Sequence, residues 1–210
     1  KVYGLTKGQY SPTTEFGKLT KSTPMGSADR PVNPCLFALA SGATFVARTV
    51  DRNVAHMEET VKRAAQHKGA GFVEILQNCN VYNDLAWNIL YDRESKVAHE
   101  LRLEHGKPLL FGPVDDRRGL VLEGIRPKVV KAKDVPESTL WVHDENDPEA
   151  ALVLAQLPSP EFPIATGVLL RTVSPVYEEV LVEQERKTIA DRGPGEIEKL
   201  LRSGDTWKVG

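Results

Sequence analysis

Cysteine is scarce in this sequence: Cys35 and Cys79 are the only two in 210 residues. Two cysteines cannot build a disulfide framework, and neither sits in a CxxC pair, so this stretch of chain cannot complete a thiolate metal site by itself. A reducing cytoplasm is the expected compartment. Histidine is equally sparse. His56, His67, His99, His105 and His143 show no HxH, HxxxH or HxxEH spacing, which argues against a histidine zinc site. His56 and His67 flank one predicted helix and read as surface or capping residues. An excess of either charge is also missing. The formal net charge is −2, with no basic patch to attract a polyanion. No apolar run approaches the length that crosses a bilayer. Repeats and low-complexity tracts are absent. The opening, Lys1-Val2-Tyr3-Gly4-Leu5, has no initiator Met and no signal or transit pattern. It reads as a strand entering a loop, so the fold is expected to begin upstream of Lys1.

What is present suits a globular core: 40% hydrophobic and 27% charged residues. Residues 6–34 are rich in Thr, Ser, Gly, Pro and Lys and read as a long loop, a class of loop that is usually functional or disordered. Residues 35–40 read as a short buried helix closed by Gly42. Ala43–Thr49 reads as a strand. Asp51 or Asn53 caps the next helix, which carries Val54, Met57, Val61, Ala64 and Ala65 on one face and ends near Gly69. Residues 71–76 form a second buried strand. Further on, residues 84–91 and 97–105 have helical character, residues 109–113 form a short strand closed by a turn, and residues 120–130 are extended with breaks at Gly124 and Pro127. Asp147-Pro148-Glu149 opens a helix through Leu157, with proline at its first position. Residues 167–173 read as a strand and residues 175–186 as a helix.

Strand–helix–strand is the unit of a parallel α/β sheet, and the expectation is three parallel strands at Val2–Leu5, Ala43–Thr49 and Phe72–Leu76. Ligands of such sheets bind beyond the carboxyl ends of the strands. Two segments fall at such ends, the loop Thr6–Thr13 and Cys79, and they are expected to face one crevice.

The segment Tyr3-Gly4-Leu5-Thr6-Lys7-Gly8-Gln9-Tyr10-Ser11-Pro12-Thr13 is the most informative. Gly4 and Gly8 allow close backbone approach to a ligand. Thr6, Gln9, Ser11 and Thr13 supply hydrogen-bond donors and Lys7 a cation, a set that suits a phosphorylated or carboxylated ligand. An ordinary surface loop has the same composition. Cys79 lies in a polar, turn-prone context, Gln77-Asn78-Cys79-Asn80, either as an inert thiol or as a ligand. Cys35 lies in an apolar run and reads as a packing residue.

The string YGLTKGQ-SPT resembles the loop that follows the thiamine-binding Gly-Asp-Gly motif in β subunits of 2-oxoacid:ferredoxin oxidoreductases, the 2-oxoglutarate type in particular. Pyruvate-type relatives carry an Asn-Thr-Gly-Gly-Gln version. The likeness continues through Asn33, Pro34, Gly42-Ala43, Ala47-Arg48, His56, His67 and the strand into Leu76-Gln77-Asn78-Cys79, and weakens beyond about Gly124. The resemblance implies a parallel-sheet thiamine-diphosphate-binding α/β fold, in its C-terminal portion, over residues 1–80, with a smaller C-terminal extension over residues 81–210. It implies thiamine diphosphate, Mg²⁺ and a [4Fe–4S] cluster as cofactors. By that likeness the Val2 carbonyl is a Mg²⁺ ligand, Gly4, Leu5 and Thr6 line the diphosphate, and Cys79 is the fourth cluster ligand. The other ligands would precede Lys1. Lys7 becomes the candidate for neutralising the distal carboxylate of a 2-oxo dicarboxylic acid.

The activity so implied is oxidative decarboxylation of a 2-oxoacid to an acyl-CoA and CO₂, with electrons passing through the cluster to ferredoxin. The implied partners are a larger α subunit in an α₂β₂-type heterotetramer, ferredoxin, coenzyme A, and the upstream segment of the β subunit itself. Two alternatives stay open from the residues: a non-oxidative thiamine enzyme in which Cys79 is incidental, and a non-catalytic piece that holds a partner subunit.

Overall fold

The computed structural model describes every residue except Lys1, Gly4, Thr206, Lys208 and Gly210. In chain order its elements are β1 (Val2–Tyr3), β2 (Gln9–Tyr10), α1 (Pro34–Ala40), β3 (Phe45–Val50), α2 (Val54–Gln66), β4 (Gly71–Leu76), α3 (Asn88–Tyr91), α4 (Arg93–His99), β5 (Glu100–Arg102), β6 (Leu110–Phe111), β7 (Arg118–Glu123), β8 (Arg126–Lys131), α5 (Pro148–Ala155), β9 (Ile164–Arg171), α6 (Tyr177–Arg192) and α7 (Ile197–Leu201). Residues 1–173 form one compact unit and residues 174–210 a second.

Local chemistry sets the boundaries of the first unit. Asn33 accepts the Leu36 N–H at 3.1 Å and Pro34 supplies a fixed φ, so α1 starts where the sequence predicts. Asn53 caps α2, and Asp147 caps α5 by accepting the Ala150 N–H at 2.9 Å. Between two of these helices lies the expected strand–helix–strand: β3 and β4 run parallel in unbroken register from Phe45↔Gly71 to Val50↔Leu76. The sheet is α/β but mixed. Its order is β4-β3-β9-β5, with β9 antiparallel to β3 and parallel to β5. A separate three-stranded antiparallel sheet, β6-β7-β8, takes up residues 110–131, and the break foreseen at Gly124 is the turn between β7 and β8.

Alternation along β3 divides the core. Val46 joins Cys35 of α1, Leu101 of β5, Leu154 of α5 and Leu169 of β9 in the main cluster. Phe45 and Ala47 point the other way and meet Val168 and Ala64 of α2. Full burial of the larger of these, such as Val46, Leu101 or Phe45, contributes roughly 1.5–3 kcal/mol each. At the carboxyl ends of β3 and β4, Val50, Leu76 and Leu90 form a third cluster. Gly167 of β9 has φ +116°, and a Cβ there would lie 2.7 Å from the Leu103 carbonyl oxygen, so glycine lets these two segments approach.

Several sequence expectations are corrected. Val2–Leu5 is not a strand of the main sheet: among the described residues, Val2–Tyr3 is extended and pairs antiparallel with Gln9–Tyr10. Left-handed Lys7 (φ +67°) and Gly8 (φ +105°) fold the chain back, and the Gly8 N–H closes on the Tyr3 carbonyl at 2.8 Å. Residues 97–105 do not form one helix. The helix ends at His99 and Glu100 opens β5, because Leu101 pairs with Ala165 and is fully buried there. Only the end of the segment 84–91 is helical, as α3. The α2 face turned inward carries His56 and Thr60, while Val54 (62% exposed) and Val61 face out.

The second unit holds α6 and α7. Neither has a buried residue.

Candidate functional site

The loop of the β1–β2 hairpin presents Leu5 (98% exposed), Thr6 and Lys7 to solvent, with Val2 half-buried at its base. Gly4 lies outside the described residues. Gly8 is buried beneath the aliphatic part of Lys21. This gives an exposed rim of side chains over a tight backbone turn, with Lys7 at a left-handed φ of +67°.

Cys79 follows β4 and is exposed. It pairs with Asn83 in an isolated bridge, and the Asn83 N–H donates to the Cys79 carbonyl at 2.9 Å. Nearby backbone N–H groups, of Tyr82 first and then Val81, hold its pKa below the ordinary thiol value. A lowered pKa favours the thiolate, the form that binds iron. The residues present therefore fit one cluster ligand.

Cys35 is its opposite. It is 0% exposed, and burial pushes its thiol up to about 12. Its S–H donates to Glu74 Oε2 at 3.3 Å, the oxygen that also accepts Arg48 Nε–H at 2.7 Å. Cys35 is a packing residue and does not meet Cys79. Among the described residues no group of three or more His, Cys, Asp or Glu could hold a metal ion.

The turn carrying Cys79 is tied to its surroundings. Asn78 Nδ2 donates to Asp84 at 2.9 Å. Tyr91 of α3 donates its hydroxyl proton to Asp51 Oδ1 at 2.6 Å. The Arg52 guanidinium lies 4.4 Å from the Tyr91 ring centroid. Asp51 and Arg52 follow β3 directly, so the exits of both parallel strands converge here, as the open-sheet rule predicts for Cys79. The β1–β2 hairpin is outside that sheet, and its loop is not at the end of one of the sheet's strands.

Sequence reasoning missed His56. It is 6% exposed, its Nδ1 lies 2.9 Å from the Thr49 hydroxyl, and burial followed by the nearby Arg102 charge lowers its pKa to about 4. It borders a cavity of about 380 Å³ shared with Arg63, Arg102 and His105. Arg63 is clamped by both Glu145 oxygens at 2.8 and 2.7 Å. A histidine on the first turn of a helix gave no sequence signal of burial. His67 does cap α2, and its Nε2 lies 2.7 Å from the Thr44 hydroxyl.

Residues 1–75 match the family described as thiamine pyrophosphate enzyme, C-terminal TPP binding domain. Residues 1–75 are thus similar to the C-terminal domain of thiamine-diphosphate enzymes. All of this chain aligns, at 39% identity, with 57% of the 2-oxoglutarate oxidoreductase subunit KorB of Mycobacterium tuberculosis. Forty-four per cent of it aligns, at 46% identity, with 30% of the β subunit of a 2-oxoacid:ferredoxin oxidoreductase from Saccharolobus solfataricus. The fold superposes with TM-score 0.66 and 25% identity on a chain of the 2-oxoglutarate:ferredoxin oxidoreductase from Magnetococcus marinus, solved with 2-oxoglutarate, coenzyme A and succinyl-CoA bound, covering 98% of this chain and 55% of that one. The chain is similar along its whole length to part of such a subunit, and it spans a little over half the length of the relatives that match it throughout.

Proposed function

We propose that this chain serves the oxidative decarboxylation of a 2-oxoacid, with 2-oxoglutarate the preferred acid, to an acyl-CoA and CO₂, with electrons leaving through a [4Fe–4S] cluster to ferredoxin. The observation that carries this reading is Cys79, an exposed thiol with a lowered pKa just beyond the carboxyl end of β4, in a chain similar along its whole length to part of KorB.

In this reading the Val2 carbonyl is a Mg²⁺ ligand, and Gly4, Leu5 and Thr6 line the cofactor diphosphate. Thiamine diphosphate, when bound, supplies the carbanion chemistry at the 2-oxo carbon and takes up the electrons left when CO₂ departs. Lys7 neutralises and orients the distal carboxylate of the acid. Cys79 holds one iron as a thiolate. The remaining cluster and Mg²⁺ ligands come from upstream β-subunit sequence, and an α subunit, coenzyme A and ferredoxin complete the assembly in a reducing cytoplasm.

The test is a complete β subunit produced anaerobically with its α subunit. Iron and acid-labile sulfide are expected, with ferredoxin reduction that needs both 2-oxoglutarate and coenzyme A. An iron-free complex that decarboxylates the acid without an electron acceptor would overturn the reading in favour of a non-oxidative thiamine enzyme.

A further inference from the structure

The inward face of α2 is polar, where a helix packed on a sheet is ordinarily apolar. His56, Glu59, Thr60 and Arg63 follow at the i, i+3, i+4, i+7 spacing that makes a single stripe, while Val54 and Val61 face out. This stripe lines one wall of the cavity of about 380 Å³, and the end of β5 with the residues after it, Arg102 to His105, lines another. β5 is an edge strand of the sheet, at the opposite edge from β4.

Three side chains bring unspent hydrogen-bond donors to this cavity. Thr49 is fully buried, and its hydroxyl meets His56 Nδ1 at 2.9 Å with no other acceptor among the described residues. The hydroxyl proton therefore goes to Nδ1, which leaves the imidazole proton on Nε2. His56 is 6% exposed, and its Nε2 has no partner among the described residues. Arg63 gives one terminal nitrogen, Nη2, to both Glu145 oxygens, which leaves its Nε and Nη1. Arg102 makes no hydrogen bond among the described residues, and its ion pair with Glu59 spans 4.0 Å, too long for one.

Charge selects the ligand. A bare anion would meet two guanidinium groups, but also the carboxylates of Glu59 and Glu104 in the wall and of Glu145 against Arg63. A bare cation would face the two arginines. A zwitterion avoids both conflicts, because its two charges lie on neighbouring carbons and can enter the open Arg102–Glu59 pair together. We propose that this cavity is a binding site for a small α-amino acid. The carboxylate takes N–H donors from Arg102, Arg63 and His56, and the ammonium donates to Glu59 or Glu104. The inference stands apart from the reading of Cys79.

The test is equilibrium dialysis of the complete αβ complex against labelled L-alanine, with propionate and ethylamine as partial ligands. Alanine is expected to bind saturably and in equimolar amount with this chain. Propionate lacks the ammonium and ethylamine the carboxylate, and each is expected to bind about tenfold or more weakly. Arg102→Gln is expected to weaken alanine by about tenfold or more. Glu59→Gln is expected to weaken alanine and to strengthen propionate, opposite changes that a loosened fold does not produce. The Glu59 side chain is 65% exposed, so this variant keeps the test open if Arg102→Gln does not assemble. No saturable alanine binding overturns the proposal, as does binding indifferent to Arg102→Gln. Propionate as tight as alanine, or alanine and propionate changing together in Glu59→Gln, overturns it as well.

Discussion

Arg48 and Glu74 face each other across the parallel pair β3–β4, register partners whose side chains meet at 2.7 Å under the cover of α1. The Cys35 thiol shares the same carboxylate oxygen. Arg48 also reaches toward the Ala165 carbonyl of β9 at 3.4 Å. One ion pair thus links three strands and a helix. Both partners are largely buried, with side-chain exposures of 11% and 18%.

Glu74→Ala leaves the Arg48 guanidinium buried without its counter-ion. Removing one partner of such a pair costs about 3–5 kcal/mol. Chemical denaturation of the assembled complex is expected to show a loss of that order. Cys35→Ala, which removes only a weak donor, is expected to cost less. Equal costs would mean that the thiol, and not the ion pair, organises this contact.

The two cysteines should differ in reactivity. Cys79 is exposed with a lowered pKa, whereas Cys35 is buried with its thiol pushed up to about 12. In iron-free native protein near pH 8, iodoacetamide is expected to label Cys79 quickly and Cys35 only after unfolding. Peptide mass mapping reads the result, and early labelling of Cys35 would contradict the packing described here.

His56 makes stability depend on acid. Its folded pKa of about 4 lies below the ordinary value of 6.5. Below pH 6.5 the unfolded chain therefore binds a proton that the folded chain refuses, and stability falls as pH drops from about 6.5 toward 4. The full loss is on the order of 3 kcal/mol at the acid end of that window. His56→Gln is expected to flatten the difference between unfolding curves at pH 7 and pH 5, and an unchanged slope would show that His56 is not the group responsible.

Lys7→Ala separates dicarboxylic from monocarboxylic substrates. With the distal charge unpaired, KM for 2-oxoglutarate is expected to rise about tenfold or more, roughly 1.4 kcal/mol, while KM for 2-oxobutyrate changes little. Steady-state kinetics on both acids decide it, and equal rises would count against Lys7 as the specificity residue.

The βαβ core was legible because its signals are local. Asn33-Pro34, Asn53 and Asp147-Pro148 begin helices through their own side chains and φ angles, and β3 and β4 are short, largely apolar runs broken by Arg48, Thr49 and Glu74. What failed depends on distant chain. Leu101 reads as helical within its own neighbourhood, and only its pairing with Ala165 makes it a strand residue. His56 and Thr60 look polar and outward until Thr49 on β3 supplies an inward hydroxyl for the imidazole. The turn-prone context of Cys79 was legible, but nothing in the sequence brings Tyr91 to Asp51.

The position of β9 bears on synthesis. β3 is complete at Val50, while the strand that closes its second edge ends at Arg171, about 120 residues later. At about 5–20 residues per second a ribosome needs roughly 6–24 s to cover that distance. Throughout that interval β3 has β4 on one side and nothing on the other. An emerging chain of this kind is a natural client for holding chaperones, and a slowly translated message would lengthen its exposure.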